Sequence, residues 1–509
     1  MKKILSSWLF TFLLLFVFQN FTFSQSYDYV KDSIDKFVNE AMKVWQVPAI
    51  AVGVVKDGKV IFTKGYGTKE LGKNDKVDEN TLFMIASNSK AFTATALCML
   101  DYNKKISIDD KVIKYFPDFK LFNEATTQQV TIRDMLCHRI GLQTFQGDFT
   151  YWGSKLSRKE VMQKISMNTP LYDFRTRYGY CNSCFLTAGE VIPVATGKLW
   201  ENFVRDSIVT PLKMSRTLML SKDALTATNI AVPYTMYEGK LVRLPYNQID
   251  GIAPAGSMIS SVKDVSNWLL MQLDTGKFEG KQVIAKQAIM KTWEGNTIVS
   301  TRKHSVRPTQ FSLYGLGWGI QDYAGRKLFE HTGGAEGFVT STCFLPEEKL
   351  GVVVLTNTDQ NTAYLSLRYQ IVNMMMKLPY KNFTQMYGKA DEQALKEENE
   401  RIAKERAKVA QKNKTELPLA SYTGAYKHKV YGKMEIKLEN NQLNAYFEQH
   451  PAIVGKLEAQ GGNDFLCTFS SPTYGVHVLP FKVEGGKVKS ASVKVNDFIE
   501  FDAYIFEKE

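Results

Sequence analysis

Cysteine is scarce in this chain. Six residues in 509 (Cys98, Cys137, Cys181, Cys184, Cys343 and Cys467) are too few for the dense disulfide framework that holds small secreted domains together. Histidine is equally rare, also six. Cys181 and Cys184 are spaced like half of a metal or redox motif. No second cysteine pair and no histidine pair stands at ligand spacing, so two semi-buried thiols are expected there and no metal or other cofactor. No long block of one charge sign occurs. The formal net charge of +12 is spread along the chain, which argues against nucleic acid as a partner. The apolar segment from Trp8 to Phe18 is too short for a comfortable membrane span, and no internal repeat is visible.

What is present begins with an export signal. Lys2 and Lys3 supply its charged start, Trp8–Phe18 its apolar centre, and Thr22-Phe23-Ser24 the small residues read by a signal peptidase. Cleavage is expected after Ser24, delivering the protein to the periplasm or the extracellular space. No cysteine lies near the cut to carry a lipid anchor. The remaining length is too great for one ordinary core. Hydrophobic residues at 44% and charged residues at 23% are ordinary for a globular protein.

Helical periodicity is expected over residues 27–45. Ala49–Val55 and Val60–Tyr66 are β-branched runs joined by Lys56-Asp57-Gly58-Lys59, a hairpin signal. A threonine-capped helix follows Val130, ending near Gly141-Leu142. It carries His138 in its last turn, where a structural hydrogen bond is a better reading than a catalytic base. Residues 160–215 read as mostly helical, Pro254–Ser261 as a Gly/Ser turn opening a helix through Leu273, and Leu328–His331 as a strand ending in Thr332-Gly333-Gly334. Phe338–Leu345 and Leu350–Thr356 complete the strands, and Tyr364–Lys377 is a closing helix. The pattern predicts an α/β fold: an antiparallel sheet built from N- and C-terminal strands, flanked by helices, with a helical insertion. A charged helix at 386–416 reads as a linker or as a face packed on the main body. Residues 417–509 alternate in short strands with turn residues every eight to twelve positions, predicting a small antiparallel β-barrel. The main domain is placed at 27–380.

Ser87-Asn88-Ser89-Lys90 runs into the apolar segment Ala91–Leu100. Three residues apart at the start of a helix, the Ser87 hydroxyl and the Lys90 amine share one face. A serine needs a neighbouring base to become a nucleophile. A capping serine with a solvated lysine explains most such pairs, but a lysine heading so apolar a helix needs another reason. Tyr180-Cys181-Asn182 and His331-Thr332-Gly333 follow in order. Each is bland alone, as an amphipathic core tyrosine, a turn asparagine and a strand-end histidine.

Together, Ser87-x-x-Lys90, Tyr180-x-Asn182 and His331-Thr332-Gly333 resemble the penicillin-binding protein and class C β-lactamase superfamily of active-site serine hydrolases. Thr131–His138 and Pro254–Ser257 resemble family landmarks, and the likeness spans roughly residues 30–380. It implies Ser87 as nucleophile, with Lys90 and Tyr180 as catalytic partners, either of which could hold the proton. It also implies an oxyanion hole from the backbone N–H groups of Ser87 and Gly334. Asn182, His331, Thr332 and Gly333 would bind substrate. The ammonium of Lys90 is expected to favour the Tyr180 phenolate. Two departures stand out. Asp173-Phe174-Arg175-Thr176-Arg177 replaces the Pro-Gly that usually precedes the tyrosine motif. His331 replaces the lysine of true β-lactamases, weakening the hold on a substrate carboxylate at neutral pH. The tail resembles the lipocalin-like domain of some relatives, covering the site or mediating association. The resemblance implies an exported serine hydrolase acting on D-amino-acid or D,D-peptides, esters or related acyl compounds, cell-wall peptide among them. A non-turnover penicillin-binding or peptidoglycan-sensing protein and a β-lactamase are the alternatives, and the oligomeric state is open.

Overall fold

The computed structural model describes residues 27–509, apart from the side chain of Asp28. The expected export signal lies outside them. The main body is built on one eight-stranded antiparallel sheet, ordered Lys59–Gly67, Ala49–Lys56, Leu350–Thr356, Phe338–Leu345, Arg326–Ala335, Gly319–Tyr323, Ser312–Tyr314 and Thr297–Ser300. Ala49–Lys56 pairs with Leu350–Thr356 in the register Ile50–Thr356, Val52–Val354, Val54–Val352. Both strands are interior to the sheet and buried on both faces, which is why they read as continuous β-branched runs rather than alternating ones. Asp57 and Gly58 turn the first hairpin with φ of +51° and +76°, the conformation that Asp-Gly favours.

Helices Asp28–Trp45 and Ala363–Met375, with the start of Phe383–Ala410, cover one face around Ile34, Val38, Val52, Val354 and Leu367. The other face meets helices Ser89–Tyr102 and Val262–Leu273 and the insertion between them. That insertion is less helical than its sequence suggests. Residues 160–215 break into Arg158–Lys164, Asn182–Gly189, Val191–Thr196 and Trp200–Val204, followed by a π-turn at Arg205–Val209. The stretch from Asn168 to Cys181 is irregular, Pro170 being unable to continue a helix. Pro254 lies in a short helix, Ala253–Gly256, and the strand Ile259–Ser261 follows it where a turn was expected. The strand carrying His331 does not stop at the glycines but continues to Ala335. The charged helix begins at Phe383, earlier than expected, under an Asn382 cap. It touches both parts of the chain: Trp45 Nε1 donates to Asp391 (2.7 Å) and Arg401 to the Val476 carbonyl (2.6 Å).

From Gly424 to Lys508 eight antiparallel strands close into a barrel, the last pairing with the first through Tyr426 and Lys508. Closure leaves no free edge. Its core is continuous with that of the main body. Phe149 reaches across, stacking 4.2 Å from the His450 ring and 5.8 Å from Tyr504. The buried Glu500 carboxylate accepts from the backbone N–H of Gly147 (2.8 Å) and Phe149 (3.0 Å) and from the Tyr431 hydroxyl (2.7 Å). His450 Nδ1 and the Tyr474 hydroxyl both donate to the Trp152 carbonyl (2.8 and 3.1 Å). The barrel therefore satisfies three backbone groups of the loop 147–152: the Gly147 and Phe149 N–H groups and the Trp152 carbonyl. Glu500→Ala would leave two buried N–H groups unpaired, and we expect it to lower unfolding stability by about 3 kcal/mol. Urea denaturation measures this; an unchanged midpoint would show that the carboxylate is not what joins the two parts.

Candidate active site

Ser87 lies in the 3₁₀ turn Ala86–Asn88 that opens the Ser89–Tyr102 helix. Ala86 adopts φ +46°, a conformation costing a residue with a Cβ roughly 1 kcal/mol or more. Neighbours hold it there. Ser89 Oγ donates to the Ala86 carbonyl (2.6 Å) and accepts the Met258 N–H (3.1 Å). Asn88 Nδ2 donates to the Ile85 carbonyl (3.0 Å) and to Thr340 Oγ1 (2.9 Å). The strand Arg326–Ala335 presses against this turn so closely that a Cβ on Gly333 would lie 2.1 Å from the Ile85 oxygen. Only glycine permits that approach, which explains the glycine at this position of the third motif.

Lys90 is fully buried. Its amine points to three acceptors: Ser87 Oγ at 3.1 Å, Asn182 Oδ1 at 2.6 Å and the Ala255 carbonyl at 2.7 Å. A solvated capping lysine is thereby excluded. Burial pushes the amine down to about 7, partly opposed by Asp148 and Cys181, so neutral and charged forms are both accessible near neutral pH.

Tyr180 is brought to the amine by its backbone. A Cβ on Gly179 would lie 1.7 Å from the Leu142 carbonyl oxygen, the Tyr180 N–H donates to Thr144 Oγ1 (3.1 Å) and the Cys181 N–H to His138 Nδ1 (3.0 Å). His138 is buried and kept uncharged by that burial. Its ring packs 4.3 Å from that of Tyr180, so it serves as scaffold and not as a base. The Asp173–Arg177 stretch that departs from Pro-Gly is pinned differently: Arg175, at φ +67°, pairs with the buried Asp134 (2.7 Å), which also holds Arg139 (2.6 Å). The Lys90 amine sits 4.7 Å from the Tyr180 ring centroid, and Ser87 hydrogen-bonds the phenol. The expected phenolate is overturned: burial pushes the phenol well above its ordinary value, outweighing the help from Ser87.

Asn182, expected to address substrate, has its polar atoms engaged within the protein. Its oxygen takes the Lys90 bond, and its nitrogen donates to Asp148 Oδ2 (2.6 Å) and the Tyr151 hydroxyl (2.8 Å). His331 meets the Tyr314 hydroxyl through Nε2 (2.9 Å) and the Thr332 carbonyl through Nδ1 (2.6 Å). Burial, then Lys90, pushes it down to about 4, so it presents no charge at neutral pH. The sequence did not point to Asp148, Tyr151, Tyr314 or the Ala255 carbonyl. The first two stand in Gly147-Asp148-Phe149-Thr150-Tyr151-Trp152, where an acid set among aromatics was the one available signal. Burial raises the Asp148 carboxyl well above the usual range.

Ser87, Tyr180, Asn182, Thr332 and Gly334 share one cavity of about 450 Å³, walled largely by aromatic and aliphatic side chains. Among the described residues lining it there is no lysine or arginine. Glu330, which also lines it, is kept ionised against the cost of burial by Arg368 at 2.9 Å. The six cysteines are free and all fully buried. Among the described residues no cluster of histidine, cysteine and acidic groups could hold a metal.

A family model described as Beta-lactamase matches residues 34–373. The chain belongs to that family. A second model, described as a domain of unknown function (DUF3471), matches residues 408–508, the barrel. Among curated proteins, Unguisins hydrolase ungD' of Aspergillus campestris is 29% identical over 81% of this chain and 78% of its own. Protein flp of Staphylococcus aureus is 24% identical over 67% of each. Among solved structures, an octameric penicillin-binding protein homologue from Pyrococcus abyssi superposes with a TM-score of 0.58 at 21% identity, over 94% of this chain and 99% of its own. A D-stereospecific amidohydrolase from Streptomyces sp. gives 0.52 at 20% identity, over 64% and 94%. These two show the shared fold. The three motifs of this Beta-lactamase family member thus meet in one pocket of a serine-hydrolase fold. Asn182→Leu would remove an acceptor from Lys90 and the partner of Asp148. We expect a loss of about 2 kcal/mol in stability and a slowing of Ser87 phosphonylation by a fluorophosphonate of about 10² or more. Wild-type labelling kinetics would remove Asn182 from the machinery.

Proposed function

We propose that the protein is an exported serine hydrolase that cleaves ester or amide bonds of small, largely apolar acyl or D-amino-acid compounds through an acyl-enzyme on Ser87. The observation that carries this reading is the buried Lys90 amine, 3.1 Å from Ser87 Oγ and with its proton affinity brought near neutrality. The neutral amine takes the hydroxyl proton as Oγ bonds to the substrate carbonyl carbon. The oxyanion so formed faces the N–H groups of Ser87 and Gly334, each such donor being worth roughly 10²–10³ in rate. Collapse breaks the bond to the leaving group, which takes a proton relayed through the Tyr180 phenol from the Lys90 ammonium. Water, giving its proton back along the same route, then releases the acid and restores Ser87.

The cavity wall narrows the substrate class. An uncharged His331, an ionised Glu330 and no lining lysine or arginine suit a neutral group better than a carboxylate. Esters and amides are therefore favoured over β-lactams and over the free C-terminus that a D,D-carboxypeptidase must grip. The Streptomyces neighbour, a D-stereospecific amidohydrolase, agrees with the amide reading. Export rests on residues 1–24 alone.

A panel of short-chain ester, D-amino-acid amide, D-Ala-D-Ala peptide and chromogenic cephalosporin, with intact-mass detection of the adduct, tests the assignment. Turnover is expected with the first two. A burst without steady release on all four would favour a sensor. Ser87→Ala should abolish the adduct while leaving the melt nearly unchanged; ester cleavage surviving in that variant would defeat the mechanism. Below about pH 7 Lys90 is protonated and cannot accept the Ser87 proton. The acylation rate should therefore climb about tenfold per pH unit up to that point and level off above it. A flat profile from pH 5.5 to 8.5 would take Lys90 out of the base role.

A further inference from the structure

The barrel does more than pack beside the main body. From its segment Asn496–Asp502 it contributes Phe498, one of the lining residues of the cavity that holds Ser87. The ring edge of Phe498 stands against Gly334: a Cβ there would lie 3.3 Å from two of its ring carbons. The Phe498 ring also lies 5.8 Å from that of Trp152, and Phe501 lies 5.5 Å from Phe145, so barrel and main-body aromatics form one wall. The turn presenting Phe498 is stiff. Asn496 Oδ1 accepts the Phe498 N–H (2.9 Å), and the Asn496 carbonyl accepts from Ile499 (2.8 Å) and Glu500 (3.2 Å). Lys494 Nζ donates to Asp497 (2.6 Å) and to the carbonyls of Glu500 (2.7 Å) and Phe501 (2.8 Å). Glu500, two residues after Phe498, is bound to the Gly147–Phe149 backbone. The ring is thus held relative to Ser87 and is not a mobile flap.

The strand Arg326–Ala335 orients the substrate against this wall. His331 lies beside Tyr180, with ring centroids 6.1 Å apart, and Gly334 lies three residues, about 10 Å, further along. The leaving group must lie within reach of the Tyr180 phenol to receive its proton, so it occupies the His331 end. The acyl substituent then extends past Gly334, toward Phe498. We propose that Phe498, supplied by the C-terminal barrel, is a specificity-determining residue that limits the length of the acyl group accepted by Ser87. This rests on the hydrolase reading above. Truncating an aromatic wall residue opens space that a longer chain can fill, and each added methylene in such a pocket is worth a measurable factor in kcat/KM.

The test uses the full chain and two ester series. One varies the acyl group of p-nitrophenyl esters from acetate to octanoate; the other holds acetate and enlarges the phenol. In Phe498→Ala the octanoate-to-acetate ratio of kcat/KM should rise about tenfold or more, and in Phe498→Trp it should fall. The phenol series should keep its wild-type order. Phe498→Leu, which retains an apolar side chain in the interface, must move the acyl ratio in the same direction as Phe498→Ala, so the test survives if the alanine variant melts early. An acyl ratio within about twofold of wild type in folded variants whose Ser87 still reacts with a fluorophosphonate would overturn the assignment, and so would a change confined to the phenol series. Failure of wild-type Ser87 to react with either probe is a different outcome: it would sink the hydrolase reading and this inference with it.

Discussion

The site is built around one amine held away from water. An ammonium buried without an anionic partner is expensive, and the Lys90 pocket supplies only neutral acceptors: a hydroxyl, an amide oxygen and a backbone carbonyl. That choice brings its proton affinity near neutrality without letting the side chain move. The three acceptors come from three separate stretches: the Ala86–Asn88 turn, the Asn182–Gly189 helix and the short helix Ala253–Gly256. The amine therefore keeps its environment only while those stretches are packed together. The apolar run of the Ser89–Tyr102 helix and the close approach of Gly333 to Ile85 are conditions for this arrangement.

Support for the amine extends outward in recognisable steps. Asn182 orients Lys90; Asp148 and Tyr151 orient Asn182; the loop that carries them has its backbone bonded to Glu500 and its ring at Phe149 lodged among barrel aromatics. This polar chain couples the loop to the amine through Asp148 Oδ2, the buried Oδ1 having no hydrogen-bond partner among the described residues. It also gives the barrel a physical relation to the chemistry that fold resemblance alone does not supply. On the opposite side, Tyr314 and the Thr332 carbonyl fix the His331 ring, so both ends of the cavity are shaped by bonds made inside the protein.

The parts of this architecture that were legible in the sequence are those specified locally. The first hairpin follows from Asp-Gly between β-branched runs. The Ser87–Lys90 pair follows from helical spacing, and the barrel from regular turns. Thr131 caps its short helix with Asp134 in a reciprocal box, as its sequence suggests. What stayed hidden depends on packing between distant segments. Thr332-Gly333-Gly334 looks like a strand terminus, yet the strand continues because the glycine is needed for a close approach to Ile85. Asp148, Tyr151 and Phe498 carry no periodic signal, since their partners lie far away in the chain. The Tyr180 phenolate was expected from a neighbouring charge, and burial, which no local pattern reveals, reversed it.

The order of strands in the main sheet has a consequence for how the molecule comes into being. Ala49–Lys56 is made early, yet one of its two neighbours, Leu350–Thr356, is among the last strands of that sheet to be synthesised. Until then an apolar strand waits with one edge unsatisfied, a topology that slows folding and exposes the nascent chain to aggregation. A polypeptide with this delay written into its connectivity cannot complete its main sheet until residue 356 has been made.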